Sequence, residues 1–218
     1  MAHSLDSLPN IETIRALYLR GPAAHDFQHV LRVTRLAERI AAAEGASPEV
    51  VRLAALLHDV GLSEVRTEHH RRGAEIARGL LTGLPSEFVE AIAHAIEAHR
   101  FRTEPEPQTL EARVLSDADK LDAIGAIGVA RAFAHAGADG TELWLLPWRE
   151  IVEQGGDATD SPSELGHRYT PVHEFVYKLR LIPQRLYTAS ARELAAERLA
   201  FMIAFFDRLD EEALLGLR

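Results

Sequence analysis

The run Val50-Val51-Arg52-Leu53-Ala54-Ala55-Leu56-Leu57-His58-Asp59-Val60-Gly61 constrains the chain more than any other segment. Ser47 and Pro48 precede it as a capping residue and a proline at the first helical position, which predicts a helix reaching about His58. A helix so uniformly apolar belongs at the centre of a bundle. Two adjacent ligand-type side chains close it and Gly61 stops it. Packing alone gives no reason to place His-Asp at the end of a buried helix.

The flanking sequence is helical in the same sense. Ile11 to Leu19 carries apolar residues at helical spacing and meets Gly21-Pro22 as a stop. Asp26 is placed to cap a helix from Phe27 to Glu44, whose buried stripe is Val30, Val33, Leu36, Ala37 and Ile40, with Gly45 at its end. Further helices are expected over Gly73 to Leu81, Ser86 to His99 and Leu110 to His135, then Pro171 to Leu181 and Ser190 to Leu215. A loop rich in Pro and Glu spans Phe101 to Leu110, and Gly155 to Gly166 has loop composition. Strand alternation and internal repeats are absent from the pattern. The fold class expected is all-α, a helical bundle over 1–136 with a helical extension over 137–218 packed on it as one structural domain.

With 218 residues the chain is long enough for one sizeable core. A formal net charge of −9 argues against nucleic acid as a partner, because phosphate neutralisation needs clustered Lys and Arg. A small anionic substrate stays compatible, since a bound divalent ion can dominate the local field. Without cysteine there is neither a disulfide framework nor a thiolate metal site. The polar stretch from Met1 to Asn10 does not read as a signal peptide, and no run spans a bilayer. A cytoplasmic protein with no membrane partner is the expectation.

Eleven histidines are many for this length, and several fall between His25 and His99. His29 near the start of one helix, His58 and Asp59 at the end of the central one, and Asp119 on a later helix form an H…HD…D pattern. Metal centres of helical proteins are built across bundles in this way. Two imidazoles with two carboxylates favour Mn²⁺, Fe²⁺, Co²⁺, Ni²⁺ or Zn²⁺ over Mg²⁺, and open positions would let the ion activate water.

Three stretches carry a resemblance to the HD-domain superfamily of metal-dependent phosphohydrolases. They are Asp26-Phe27-Gln28-His29-Val30-Leu31-Arg32-Val33, Ala54 to Gly61, and Asp117-Ala118-Asp119-Lys120-Leu121-Asp122-Ala123-Ile124-Gly125-Ala126-Ile127-Gly128. The last of these, with the segments around His173 to Leu179 and Glu197 to Met202, is similar to small bacterial members that include nucleotide pyrophosphohydrolases. The resemblance implies metal ligands at His29, His58, Asp59 and Asp119, with Asp117 the alternative to Asp119. It implies one divalent transition metal, Mn²⁺ favoured, and leaves room for a second.

His70 and His99 are the nearest matches to the extra histidines of two-metal members, and in a one-metal site they would act as general acids or phosphate donors. His94 lies five residues from His99, about 140° away around a helix, and does not share that face. Asp122 is on the helical face of Asp119 and is a candidate catalytic group beside Asp59. Arg32, Arg71 and Lys120 are candidate substrate phosphate contacts, and Glu64 a candidate acid or base. The activity implied is hydrolysis of a nucleoside triphosphate to monophosphate and pyrophosphate by metal-activated water. The alternatives are a nucleoside 5′-monophosphatase or another phosphomonoesterase or phosphodiesterase, di-iron oxygen chemistry, and a non-catalytic nucleotide-binding regulatory module. No GxxxxGK[ST] loop or G-x-S-x-G elbow is present. Two uses stay open for the apolar C-terminal helix: intramolecular packing or a homodimer interface.

Overall fold

The computed structural model describes residues 9–18, 27–63, 68–100, 105–154 and 165–215, and among these residues helical periodicity with clear stops becomes ten α-helices. The helices are α1 (Ile11–Tyr18), α2 (Phe27–Glu44), α3 (Pro48–Leu57), α4 (His69–Leu80), α5 (Ser86–Glu97), α6 (Leu110–Asp122), α7 (Gly125–Asp139), α8 (Trp148–Glu153), α9 (Pro171–Tyr177) and α10 (Ala189–Leu214). Short 3₁₀ segments cover Val60–Ser63, Gly166–Arg168 and Leu179–Arg185. Among the described residues there is no strand beyond one isolated bridge between Thr82 and Leu84. None of their helices is long and apolar enough to cross a membrane. The expected Asp26 cap, Glu64 and most of the Gly155–Gly166 segment lie outside the described residues.

The described chain divides into two compact units, one from 1–120 with 187–191, the other from 121–186 with 192–218. The division falls inside α6, whereas the sequence pattern puts the boundary at 136. In the first unit α3 packs against α2 and α5, and α4 packs against α5 and the Val60–Ser63 turn. Seven of the ten residues of α3 are buried: Val50, Val51, Leu53, Ala54, Ala55, Leu56 and Leu57. Ser47 Oγ accepts the Val50 amide and Pro48 opens the helix, as the sequence predicts.

Two departures from expectation shape the fold. α4 starts at His69, a full turn before Gly73, so that His69 and His70 sit in its first turn. The long helix expected from Leu110 to His135 is two helices, separated where Ile124 is extended and Gly125 takes a φ of +79°. Only glycine adopts that backbone without strain. In the second unit the Leu121 carbonyl, near the end of α6, accepts the Ile124 amide at 3.2 Å and the Arg198 guanidinium.

The rest of the second unit is held by aromatic and capping contacts. Trp144 Nε1 donates to Asp210 at 2.7 Å and Trp148 Nε1 to Asp207 at 2.8 Å, tying α8 to α10. Phe175 stacks on Phe206 at 4.3 Å. Thr170 caps α9 in a reciprocal box whose second member is the His173 imidazole, a role usually filled by Glu or Gln.

Gly61 has an ordinary φ, and its importance is close approach. A Cβ there would stand 2.3 Å from the His69 carbonyl oxygen and 2.8 Å from the Gly73 amide nitrogen. The absent side chain lets the turn after α3 pass beneath the start of α4. A Cβ added at Gly79, on the exposed side of the same α4, would meet nothing within 4 Å. Gly61→Ala is therefore expected to destabilise the protein by about 1–3 kcal/mol. Gly79→Ala should stabilise it by about 0.5–1 kcal/mol. Urea unfolding of both variants checks the pair, and equal effects would contradict the close-approach role.

Candidate metal centre

α3 ends one residue before His58, so the chain turns just where two polar side chains must be accommodated. The Tyr18 hydroxyl donates to the Leu56 carbonyl at 2.9 Å, satisfying one of the acceptors exposed by that end. His58 Nδ1 lies 2.8 Å from the Ala55 carbonyl and is thereby fixed as the donor nitrogen. Its Nε2 is left as a lone-pair atom pointing away from the helix, the arrangement of ligating histidines. His99 repeats the device at the end of α5, its Nδ1 lying 2.5 Å from the Ile96 carbonyl.

These lone pairs converge. His58 Nε2 is 3.3 Å from His29 Nε2 and 3.4 Å from Asp59 Oδ2. His29 Nε2 is 3.6 Å from Asp59 Oδ2 and 3.4 Å from Asp119 Oδ1. Ligands about 2.1 Å from a common ion stand roughly 3–3.5 Å apart, so the spacing fits a small divalent cation. Two imidazole acceptors facing each other between carboxylates also need a proton or a cation between them. On the other side of the same carboxylate, Asp59 Oδ1 is 3.4 Å from His69 Nε2 and 3.8 Å from His99 Nε2. Two groups with metal-holding geometry result, His29–His58–Asp119 and Asp59–His69–His99, and Asp59 faces both.

All six side chains except Asp119 are buried or nearly so, while the Asp119 side chain is 31% exposed and opens the cluster to solvent. Burial pushes the His58 imidazole down, but the charge and hydrogen bond of Asp59, with the charge of Asp119, outweigh it and the net shift is upward. Burial also raises Asp119, yet the hydrogen bond and charge of His29 and the charges of His58 and His99 hold it well below the usual carboxylate range. Burial dominates at His99 and, with the nearby His58, lowers it to about 4. His99 is thus neutral near pH 7.

The structure separates the three aspartates of α6. Asp119 joins the cluster. Asp117 Oδ2 instead accepts from the Thr188 amide at 2.8 Å and the Thr188 hydroxyl at 2.7 Å, and Oδ1 accepts from the Tyr187 amide at 2.9 Å. Asp122 is buried with Arg131 3.6 Å away. On α4 it is His69, in place of the expected His70, that meets Asp59. His70 is buried, its Nδ1 without a hydrogen-bond partner among the described residues, and burial with the charge of Arg100 lowers its pKa. The sequence carries a sign of this: His69 and Gly73 share a helical face, and Gly73 is the small residue set against the His58 carbonyl.

Lys120 is buried, its ammonium donating to the Ser116 hydroxyl and to the Ser116 carbonyl at 3.3 Å. Arg71 is exposed and pairs with Glu68 at 3.3 Å. Arg32 is half-buried on α2, the helix that carries His29. His94 accepts the Gln108 amide at 3.1 Å and takes no part in the cluster.

The profile of the HD domain family matches residues 26–124, which hold every residue of the cluster. The YpgQ protein of Bacillus subtilis (strain 168) is 33% identical over 204 residues, 91% of this chain and 89% of that one. The crystal structure of Bacillus subtilis YpgQ in complex with ADP superposes with a TM-score of 0.70 at 29% identity, covering 93% of this chain and 92% of that one. An HD-superfamily hydrolase from Bacillus thuringiensis gives 0.70 at 26% identity over 94% of this chain and 95% of that one. Ribonuclease Y of Chloroflexus aurantiacus is 42% identical over 110 residues, 49% of this chain but 20% of that protein. Fold, ligand-type cluster and full-length likeness agree: this chain belongs to the HD-domain family, whose structural neighbours include HD-superfamily hydrolases.

Proposed function

We propose that the protein is a metal-dependent phosphohydrolase that converts a nucleoside triphosphate to its monophosphate and pyrophosphate. The convergence of His29, His58, Asp59 and Asp119 carries the hydrolytic part of this reading. The nucleotide part is supported by the ADP complex of YpgQ. In this reading those four residues hold one divalent ion, Mn²⁺ favoured. Such an ion supplies a Lewis acid beside the phosphoryl oxygens and lowers the pKa of water.

The protein's own groups do the remaining work. The Ala55 carbonyl fixes the direction of the His58 ring, and Tyr18 satisfies the neighbouring Leu56 carbonyl. Asp59 spans the cluster and orients the imidazoles on both sides of it. His69 and His99 face Asp59 Oδ1, and His99, neutral near pH 7, serves as an acceptor there. The open side at Asp119 admits the substrate. Arg71 contacts phosphate, because an exposed pair with Glu68 is worth little and exchanges readily for an anion. Arg32 and Lys120 supply further positive charge along α2 and α6.

His58→Ala, Asp59→Ala and Asp119→Ala are each expected to lower pyrophosphate release from nucleoside triphosphates by more than about 100-fold while helix content is kept. Metal-depleted protein tested before and after Mn²⁺ addition measures this. Full activity in His58→Ala would refute the site. Orthophosphate released from nucleoside monophosphates would move the assignment to a nucleotidase.

Metal binding should also release protons. The His58 pKa is raised in the ion-free chain, so below that pKa an imidazolium opposes the cation and above it the lone pair is available. Apparent Mn²⁺ affinity is therefore expected to rise from about pH 6 to about pH 8, with proton release seen by calorimetry in buffers of different ionisation enthalpy. An affinity independent of pH would exclude His58 as a ligand.

A further inference from the structure

We propose that Tyr187 is the platform on which the base of the nucleotide stacks, an assignment that rests on the nucleotide reading above. The first unit takes back a short segment, 187–191, after the chain has built most of the second unit. Asp117 holds the start of that segment through its backbone, accepting the Tyr187 amide at 2.9 and 3.1 Å and the Thr188 amide at 2.8 Å. The clamp does not use the tyrosine side chain. Tyr187 nevertheless keeps 43% of its surface exposed, one of few large apolar or aromatic side chains among the described residues that does.

Exposed tyrosines are common, and a solvated one needs no explanation. This one differs in being linked to the metal cluster by consecutive contacts. The Ser116 hydroxyl donates to the His99 carbonyl at 3.1 Å and accepts from the Lys120 ammonium. That ammonium lies 5.1 Å from the centre of the Tyr187 ring. Lys120 directly follows Asp119, so the residue under the ring and a residue of the cluster occupy neighbouring positions of α6.

A cation beneath the ring and a fixed backbone give a rigid aromatic face that loses little conformational entropy when a base covers it. Stacking of this kind accepts any base and favours the larger purines. It orients the polyphosphate toward Asp119, so Tyr187 is a substrate-positioning residue.

Calorimetric titration of the Mn²⁺-loaded full chain with ADP and with inorganic pyrophosphate tests this. Tyr187→Leu should weaken ADP binding about 10-fold or more and leave pyrophosphate binding unchanged, while Tyr187→Phe keeps the wild-type ADP affinity. Unchanged ADP affinity in Tyr187→Leu overturns the proposal, as does an equal loss for pyrophosphate or a wild type that binds no ADP. If that variant binds ADP normally while the wild type hydrolyses nucleoside triphosphates, the platform fails and the proposed activity stands. Selective loss of ADP binding in a protein with no such hydrolysis supports the platform and removes the activity.

Discussion

Placing His58 and Asp59 side by side at the end of a largely buried helix withdraws two strongly hydrated groups from water, at a cost of several kcal/mol unless their polar atoms are partnered. Much of the first unit can be understood as meeting that requirement. The Ala55 carbonyl takes one nitrogen of His58, and Tyr18 takes the Leu56 carbonyl left over by the helix end. Gly61 lets α4 come close enough for His69 to reach Asp59. The remaining lone pairs point at one another, and a divalent cation is the partner that satisfies them together.

α6 shows how one helix serves several purposes through its rotation of about 100° per residue. Asp119 faces the histidines, Asp117 faces the backbone of 187–188, and Ser116 and Lys120, one turn apart, form a polar strip between them. The Asp117 contact is structural. Burial holds its carboxylate above the usual range, an effect that the Tyr187 and Thr188 donors offset only in part. Glu44 acts in parallel, accepting the Ser190 amide at 2.7 Å at the start of α10.

Local physics makes much of this legible. The Phe27–Glu44 extent of α2 and the Ser47-Pro48 start of α3 follow from periodicity and capping chemistry, whereas α3 ends at Leu57 and Gly61 lies within the 3₁₀ turn that follows. The grouping of His29 with His58 and Asp59 reads as a pattern of ligand-type residues, and the choice of Asp119 over Asp117 rests on the resemblance to the HD-domain superfamily. The break at Gly125 is not legible, since the run from Leu110 to His135 keeps its apolar spacing through it and the reversal depends on one positive φ. A helix starting at Gly73 gives neither His69 nor His70 a helical face; with the start at His69 the two lie about 100° apart and His69 is the one that meets Asp59. The tryptophan contacts to Asp207 and Asp210, and the return of 187–191 to Asp117, join residues about 60–70 apart in sequence. No local pattern encodes them.

The central claim is that one ion sits among His29, His58, Asp59 and Asp119. Anomalous diffraction at the manganese edge from crystals of the Mn²⁺-loaded protein tests it most directly. The account predicts a peak about 2.2 Å from His29 Nε2, His58 Nε2 and a carboxylate oxygen of each aspartate. A well-loaded protein whose peak lay elsewhere, away from His29 and His58, would contradict it.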